Sequence, residues 1–333
     1  MSIRASITFH WQGPWDWGRA LARVQAAEEA GVEAVWVAEA WGRDCFTLLT
    51  LIADRTRRIR LGTGIVNTYS RTPAALAQHF ATLDDLSGGR MLIGLGTSGW
   101  RVIEHWHGVP FQPSLTRMRE YVQIINTILA GDKLVHHGTV FHLDRGFTLR
   151  FTPVRPHIPI FLASVAPKSV RMTAEIADGW MPILIPIESL AAEVAAFRGA
   201  ARAAGRDPAA LTVRAPGPVT VARDVAAARL AAKEHVAFYV THMGDFYHAQ
   251  LTRLGHGPTC EAIRSAWGAG GRAAGVAAVP DALIDSLYCI TDSVPRARER
   301  LAQQAEAGVD LHLVDAPADD PREMARALAA LLA

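Results

Sequence analysis

The sequence predicts an α/β protein, a (β/α)8 barrel of the TIM type with insertions. Short apolar runs alternate with amphipathic helical stretches along most of the chain, which is the order that produces a parallel sheet with crossover helices. The apolar runs are almost uninterrupted, as in strands that are buried on both faces. About eight strand–helix units fit into the 333 residues, which favours the barrel over an open doubly wound sheet, the alternative that remains.

The first part of the chain alternates regularly between strands and helices. We predict strands at Ile3–Phe9, Glu33–Glu39, Arg58–Ile65 and Arg90–Gly96. We predict helices at Trp17–Ala30, Phe46–Arg55, Pro73–Leu86 and Leu115–Ala130. Gly31 directly follows the first helix, where a residue of positive φ commonly ends a helix. Pro73 suits the first turn of the third helix, because its missing N–H would have no partner there.

The rest of the chain continues the alternation with two interruptions. We predict strands at Ile158–Ser164, Gly179–Leu184, Leu211–Ala222, within Ser286–Ser293 and at Val309–Asp315. We predict helices at Lys168–Ala177, Glu188–Ala204, Val225–His235, Val294–Ala307 and Pro321–Leu332. The residue pattern of Asp132–Pro153 predicts hairpins. The glycine-rich segment Gly244–Pro280 predicts an irregular lid or insertion with short helices. We therefore expect one domain over residues 1–333, with insertions near 132–153 and 244–280.

Composition excludes several classes of partner. Acidic and basic residues nearly balance at a formal net charge of +2, without a long basic run, which argues against binding of nucleic acid or an anionic membrane. Cys45, Cys260 and Cys289 form neither a CxxC pair nor a disulfide framework, and the first residues lack the apolar core of a signal peptide. No run reaches the roughly 18 apolar residues of a membrane span. We expect a soluble, cytoplasmic protein.

Functional residues of this fold lie in the loops at the carboxyl ends of the strands. After the second strand, Glu39 offers a carboxylate, either for catalysis or for a structural salt bridge. Trp41 can stack on a flat ring or cover apolar core. After the third strand, the stretch GTGIVNTYSRTP turns glycine-rich and then polar. This pattern indicates that something approaches the backbone closely here and that a few polar groups are positioned beside it, rather than packing alone.

The loop after the fourth strand, GLGTSGWRVIEHWHGVPF, combines glycines with the Ser98 hydroxyl and the histidines His105 and His107. It does not match a dinucleotide-binding fingerprint, because no helix is expected to start at once. The histidine pair lacks further ligands that would converge on it, so we predict no metal site. His107 is either a buried structural histidine or a group close to the substrate.

In the loop after the fifth strand, Lys168 stands at a helix N-terminus, which suits a phosphate as well as a plain solvated lysine. Lys168 lies beyond Pro167 rather than within the strand, which argues against a Schiff-base aldolase. Nucleophile-elbow and P-loop motifs are absent from the sequence. A site of glycines, aromatic rings and hydroxyls suits a cofactor that supplies the reactive group.

At these residues the sequence resembles the bacterial luciferase-like superfamily, and most closely its branch of oxidoreductases that use coenzyme F420, a deazaflavin. The resemblance is carried by WVAEAWGRD, IRLGTGIVNTYSRTPAALAQ, LDDLSGGRMLIGLGTSG, HWHGVPF and EIADGWMP. It implies a barrel, often dimeric, with the ring across the carboxyl ends of the strands. It also implies a bulge at Thr63–Gly64–Ile65 that contains a non-prolyl cis peptide behind the ring.

The resemblance also implies which residues contact the cofactor. They are Trp41, Thr63, Gly64, Ile65, Asn67, Ser98, Gly99, Ser164, Val165 and Lys168. Ile65 would press on the back of the ring, and Asn67 and Thr68 would face its polar edge. Candidates for the walls of the substrate slot are Trp11, Trp41, Trp100 and Trp106.

One departure from the family concerns the proton donor. Relatives that use the deazaflavin often carry Asp-His or a similar pair at the end of the second strand, whereas this chain carries Glu39–Ala40. Glu39 and His107 are therefore the candidate catalytic residues. We expect hydride transfer between F420 and a small organic substrate in a homodimer. The alternatives are an FMN-dependent monooxygenase that uses O2 and a partner reductase, and a non-catalytic flavin-binding protein.

Overall fold

The computed structural model describes residues 3–9, 16–318 and 320–333. The strands are β1 (Ala5–Phe9), β2 (Ala34–Val37), β3 (Arg60–Thr63), β4 (Val66–Asn67), β5 (Met91–Gly96), β6 (Leu134–His137), β7 (His142–Phe147), β8 (Ile160–Leu162), β9 (Gly179–Trp180), β10 (Thr212–Val213), β11 (Val219–Val221), β12 (Cys289–Thr291) and β13 (His312–Asp315). The α-helices are α1 (Trp17–Glu29), α2 (Cys45–Arg55), α3 (Pro73–Ser87), α4 (Trp100–His105), α5 (Ser114–Leu129), α6 (Pro167–Ile176), α7 (Ile187–Ala203), α8 (Val225–His242), α9 (Phe246–Leu251), α10 (Gly257–Ala277), α11 (Asp281–Leu287), α12 (Val294–Glu306) and α13 (Pro321–Leu332).

The described residues divide into two compact units. The N-terminal unit comprises the described residues within 6–163 and 172–180, and the C-terminal unit comprises those within 1–5, 164–171 and 181–333. The organisation of the chain as one domain stays a prediction.

The sheet of the N-terminal unit consists of parallel strands in the order β9, β8, β5, β3, β2 and β1, and β4 pairs with β5. In this register Val35 lies opposite Leu61, and Leu61 lies opposite Met91. All three side chains are fully buried, as the apolar strand runs predicted. The predicted α/β fold with parallel strands is therefore confirmed.

Helix ends in this unit follow the sequence signals. The Asp44 side chain accepts a hydrogen bond from the Thr47 N–H at 2.7 Å and caps α2. Thr72 caps α3 in the same way, with Pro73 in the first turn, and α3 ends at Gly88 with φ of 69°. These caps fix where each loop at the carboxyl end of a strand gives way to a helix.

The predicted third strand is interrupted. β3 ends at Thr63, Gly64 and Ile65 leave the strand, and the short β4 resumes the pairing with β5. Within β3, Gly62 is required because a Cβ there would lie 2.3 Å from the ring of Trp36. The interruption confirms the predicted bulge.

A short helix begins directly after the GTSG sequence, which corrects the expectation that no helix starts there. α4 starts at Trp100, and Gly99 precedes it in extended conformation. The helix forms because Ile103 packs against Tyr69 and Phe111 in a small apolar cluster. This is tertiary packing, which the glycine pattern alone does not reveal.

The insertion at Asp132–Pro153 forms the predicted hairpin. β6 and β7 pair antiparallel, with His137 opposite His142. A register shift between Leu134 and His136 interrupts the ladder.

In the C-terminal unit, β11 pairs in parallel with both β12 and β13. The single strand predicted at Leu211–Ala222 is wrong in detail, because it divides into β10 and β11. Pro216 and Pro218 lie between these two strands, and neither residue has an N–H for a strand ladder. The strand predicted at Gly179–Leu184 stops at Trp180, since Pro182 follows and Leu184 has φ of 53°.

The segment Gly244–Pro280 is mostly helical, which corrects the prediction of an irregular insertion with short helices. It contains α9, a π-helical turn at Thr252–His256 and the 21-residue α10. Cys260 and Ile263 of α10 are fully buried in a cluster with Val236 and Val240 of α8, so α8 also runs past the predicted end at His235. The glycines act as local breaks in helices, at Gly255 with φ of 94° and at Gly271 with φ of 70°.

Within the described part of the chain, none of the helices combines the length and the apolar character needed to cross a bilayer.

Candidate functional site

The candidate site of the N-terminal unit is built around the segment Gly64–Ile65. The peptide bond between these residues is cis, which confirms the non-prolyl cis peptide predicted there. The Gly64 N–H donates to the Val37 carbonyl at 2.7 Å, and the Glu39 N–H donates to the Ile65 carbonyl at 3.1 Å. Backbone hydrogen bonds therefore hold the segment against the end of β2 on both sides.

Gly96 leaves room for the Ile65 side chain. A Cβ at Gly96 would lie 2.8 Å from Cδ1 and 2.9 Å from Cγ1 of Ile65, closer than carbon atoms pack. Gly96 is buried, whereas Gly64 and Ile65 are only half-buried. The result is an apolar surface with little side-chain cover, made of Ile65 and of glycine backbone.

Asn67 and Thr68 follow this surface and bury polar side-chain atoms. Both residues are fully buried. Oδ1 of Asn67 accepts hydrogen bonds from the N–H groups of Tyr69 at 2.9 Å and Ser70 at 2.7 Å. Nδ2 of Asn67 and Oγ1 of Thr68 have no hydrogen-bond partner among the described residues. A buried polar group in this state costs about 1–3 kcal/mol, which a bound polar ligand would recover.

The Thr63 hydroxyl is already used. It donates to the Gly94 carbonyl at 2.7 Å and accepts from the Gly94 N–H at 2.8 Å, so it ties β3 to β5. The predicted contact of Thr63 with a cofactor stays a prediction, and it would involve the backbone.

Glu39 lies in an ion pair that the sequence did not reveal. Nη1 of Arg71 donates to Oε1 of Glu39 at 2.5 Å, and Nη2 donates to Oε2 at 3.1 Å. The Cys45 N–H also donates to Oε2, at 3.0 Å, and Arg71 binds Asp44 as well. The Glu39 side chain is only 9% exposed. Donors thus face both oxygens, which is an arrangement that holds an anion.

The nearby thiol is not a candidate nucleophile. Burial and the Glu39 carboxylate raise the pKa of Cys45 well above its ordinary value. The side chain is fully buried, so Cys45 remains a protonated packing residue.

His107 provides an imidazole near this ion pair. Its Nε2 is buried and has no hydrogen-bond partner in the described part of the chain. Burial lowers the pKa of His107; the charge of Glu39 opposes this shift and the charge of Arg71 adds to it. A neutral imidazole with a free ring nitrogen can accept or donate a proton.

Tyr69, which follows β4, is hydrogen-bonded to the loop that carries His107. Its hydroxyl donates to the Phe111 carbonyl, and the two rings stack with centroids 5.5 Å apart. Burial raises the pKa of Tyr69 to about 12, so the phenol keeps the proton that it donates. Sequence reasoning missed Tyr69 and the pairing of Arg71, although both stand in the polar stretch that follows the third strand.

Other predicted residues are distributed as follows. Ser98 has φ of 60°, and Gly99 is the buried residue before α4. In the C-terminal unit, Ser164 is buried, Val165 is half-buried and Lys168 is exposed in the first turn of α6. Their contacts with a cofactor stay predictions.

The tryptophans proposed for the substrate slot differ in exposure. Trp41 is 41% exposed and Trp106 is 64% exposed, whereas Trp100 packs against Ile103 and Phe111. Trp11 lies outside the described residues.

In the described part of the chain, no group of three or more His, Cys, Asp or Glu side chains could hold a metal ion.

The chain has relatives of established family and fold. The sequence model of the luciferase-like monooxygenases matches residues 5–311. The chain is 34% identical to a Mycobacterium tuberculosis protein whose name assigns it to the coenzyme F420-dependent oxidoreductases, over 93% of each chain. It is 30% identical to 5,10-methylenetetrahydromethanopterin reductase of Archaeoglobus fulgidus, over 88% of each chain. The fold is similar to that of the coenzyme F420-dependent tetrahydromethanopterin reductase of Methanopyrus kandleri, with a TM-score of 0.81 at 24% identity, covering 100% of this chain and 98% of that one.

Proposed function

Because the chain belongs to the luciferase-like monooxygenase family, we propose that it is an oxidoreductase that transfers a hydride between coenzyme F420 and a small organic substrate. The proposal is carried by two buried atoms, Asn67 Nδ2 and Thr68 Oγ1, which have no hydrogen-bond partner among the described residues and lie beside the surface of Ile65 and Gly96. The name of the Mycobacterium tuberculosis relative specifies coenzyme F420, which favours F420 over FMN.

The residues of the N-terminal unit fit a planar ring with one polar edge. Ile65 supplies an apolar contact that is still half-exposed. Asn67 Nδ2 offers a hydrogen bond, and the Thr68 hydroxyl can donate or accept one. A deazaflavin has carbonyl and N–H groups along one edge and an apolar face, so the two kinds of protein surface correspond to the two kinds of ligand surface.

The chain's own residues bind and orient the cofactor and move protons. F420, when bound, supplies a carbon centre that carries two electrons as a hydride. The Ile65 surface and the polar atoms of Asn67 and Thr68 fix the orientation of the ring, which is the main service a protein gives to such a cofactor.

Of the two predicted catalytic residues, His107 is better suited to proton transfer. Its Nε2 is free of partners among the described residues. Glu39 is held by the guanidinium of Arg71 and the N–H of Cys45, so we assign it an electrostatic role as a fixed anion. The catalytic role of each residue remains part of the proposal.

We further infer that the strands close into a (β/α)8 barrel, and the fold similarity over the whole chain supports this arrangement. The homodimer implied by the family resemblance and the cytoplasmic location expected from the sequence also remain proposals.

Titration with F420 and with FMN tests the proposed function. Asn67→Asp keeps the oxygen that binds the N–H groups of Tyr69 and Ser70 but replaces the free donor, so it should fold and bind F420 about tenfold more weakly or worse. Thr68→Val should act in the same direction. The matched control is Thr63→Val, which removes a hydroxyl that is already paired and should lower stability without a comparable loss of affinity.

The two cofactors separate the alternatives. Preferential binding of F420 supports the proposal. Tight binding of FMN without binding of F420 would instead favour the FMN-dependent monooxygenase. Cofactor binding without F420 reduction or oxidation across a panel of carbonyl and alcohol substrates would favour the non-catalytic flavin-binding protein.

A further inference from the structure

Two histidines face each other on the hairpin of the N-terminal unit. His137 of β6 and His142 of β7 are directly opposite in the strand register. Their ring centroids are 4.4 Å apart. Nδ1 of His137 lies 3.2 Å from Nε2 and 3.4 Å from Nδ1 of His142. Both residues are exposed, and neither belongs to the candidate cofactor site.

The separation of these ring nitrogens suits a shared metal ion. Two imidazole nitrogens bound to one tetrahedral Zn2+ at its usual bond length lie about 3.3 Å apart. We propose that His137 and His142 bind one divalent transition-metal ion, with water in the remaining coordination positions.

The turn between the two histidines is hydrogen-bonded to a neighbouring helix. The Glu120 carboxylate of α5 accepts hydrogen bonds from the N–H groups of Thr139, Val140 and Phe141, at 2.8–3.1 Å. Because the turn is tied to a helix, the two strand ends keep their register, and less ordering is needed when a metal binds.

The neighbouring His136 serves the same anchor. Its Nε2 lies 3.3 Å from Oε2 of Glu120, on the face of β6 opposite to that of His137. The hairpin therefore presents the imidazoles of His137 and His142 to solvent, whereas the imidazole of His136 contacts the Glu120 carboxylate that holds the turn.

The ligand set selects the class of metal. Imidazole nitrogens suit Cu2+, Ni2+ and Zn2+, whereas Ca2+ and Mg2+ prefer oxygen ligands. Affinity should be highest for Cu2+ among these ions. A site with two protein ligands leaves positions open, so the ion should exchange readily and remain accessible to small ligands.

The test is a Cu2+ titration of the full chain by calorimetry, with an EPR spectrum of the complex. Wild type should bind one ion per chain, and its EPR spectrum should show superhyperfine splitting from two nitrogen ligands. His137→Ala and His142→Ala should each weaken binding about tenfold or more, because each leaves a single imidazole. Both side chains are exposed, so these variants should fold. Cys45, Cys260 and Cys289 are buried and should not compete.

His105→Ala is the matched control, because it removes an exposed histidine that lies outside the hairpin. It should leave the affinity of the site unchanged. The proposal is overturned if the double variant His137→Ala/His142→Ala binds Cu2+ within tenfold of wild type, or if the EPR spectrum shows coordination by fewer than two nitrogens.

Discussion

Substitution of Gly96 by alanine should disturb, through Ile65, the apolar surface that we propose for cofactor binding. The new Cβ would lie 2.8 Å from Cδ1 and 2.9 Å from Cγ1 of Ile65, whereas ordinary contacts begin at 3.4 Å. Overpacking of this kind typically costs about 1–3 kcal/mol. Ile65 is half-exposed and can move, so we expect a cost near the lower end of that range in the unfolding free energy.

The larger effect should fall on cofactor affinity. If the ring lies against Ile65, a displaced side chain changes the surface that the ring contacts. We expect the Kd for F420 to rise about tenfold, which corresponds to about 1.4 kcal/mol. Fluorescence titration of F420 measures this affinity, and urea unfolding measures the stability of the same variants.

A double-mutant cycle with Ile65→Ala isolates the cause. Ile65→Ala removes both atoms that the new Cβ would contact, so Gly96→Ala should cost little in that background. Residues in contact typically show coupling energies of about 0.5–3 kcal/mol, whereas independent effects add within about 0.5 kcal/mol. Additive effects of the two substitutions on F420 affinity would refute the reasoning.

Gly199→Ala is the matched control for this cycle. Gly199 lies in α7, and a Cβ there would meet nothing within 4 Å. This substitution should leave F420 affinity unchanged and should raise helix stability by up to about 1 kcal/mol.

Three further predictions concern residues that support the candidate site or the hairpin. Arg71→Met leaves the Glu39 carboxylate, which is 9% exposed, without its cation and should cost about 3 kcal/mol in urea unfolding; a loss below about 0.5 kcal/mol would contradict this view of the ion pair. Tyr69→Phe removes the hydrogen bond to the Phe111 carbonyl and should cost about 1 kcal/mol, with faster hydrogen exchange in the His107 loop; unchanged exchange would count against Tyr69 as its anchor. Burial raises the pKa of Glu120, but the N–H donors of the hairpin turn outweigh burial, and the pKa lies below its ordinary value of 4.5. Its stabilisation should therefore be complete above pH 4.5 and be lost as the pH falls through the lower folded-state pKa. Glu120→Gln should lack this acid-dependent component in unfolding titrations, and an identical pH dependence in both proteins would contradict the assignment.

Much of the fold was predictable because local signals and burial agree. α3 begins at Pro73 behind the Thr72 cap, as the sequence indicates, and β5 coincides with the apolar run that ends at Gly96. Predictions failed where packing or backbone geometry overrode a local sequence pattern. Glycines in Gly244–Pro280 indicated irregular structure, yet apolar residues such as Ile263 bury one face of α10 against α8.

The candidate site was only partly predictable. The glycines and polar residues of the third strand and its loop indicated close approach to the backbone, and the family resemblance implied the roles of Ile65 and Asn67. The partner of Glu39 is 32 positions away, and a single sequence read by itself carries no signal for such a pair. Likewise, two features depend on which atoms face each other after folding. One is that Asn67 Nδ2 lacks a hydrogen-bond partner among the described residues, and the other is that the Thr63 hydroxyl is already bonded.

The most direct test of the account is a crystal structure of the protein with F420. We predict that the ring lies against Ile65, with Asn67 Nδ2 and Thr68 Oγ1 within hydrogen-bonding distance of its polar edge. A complex in which F420 binds elsewhere, or in which these two atoms remain unpaired, would contradict the account.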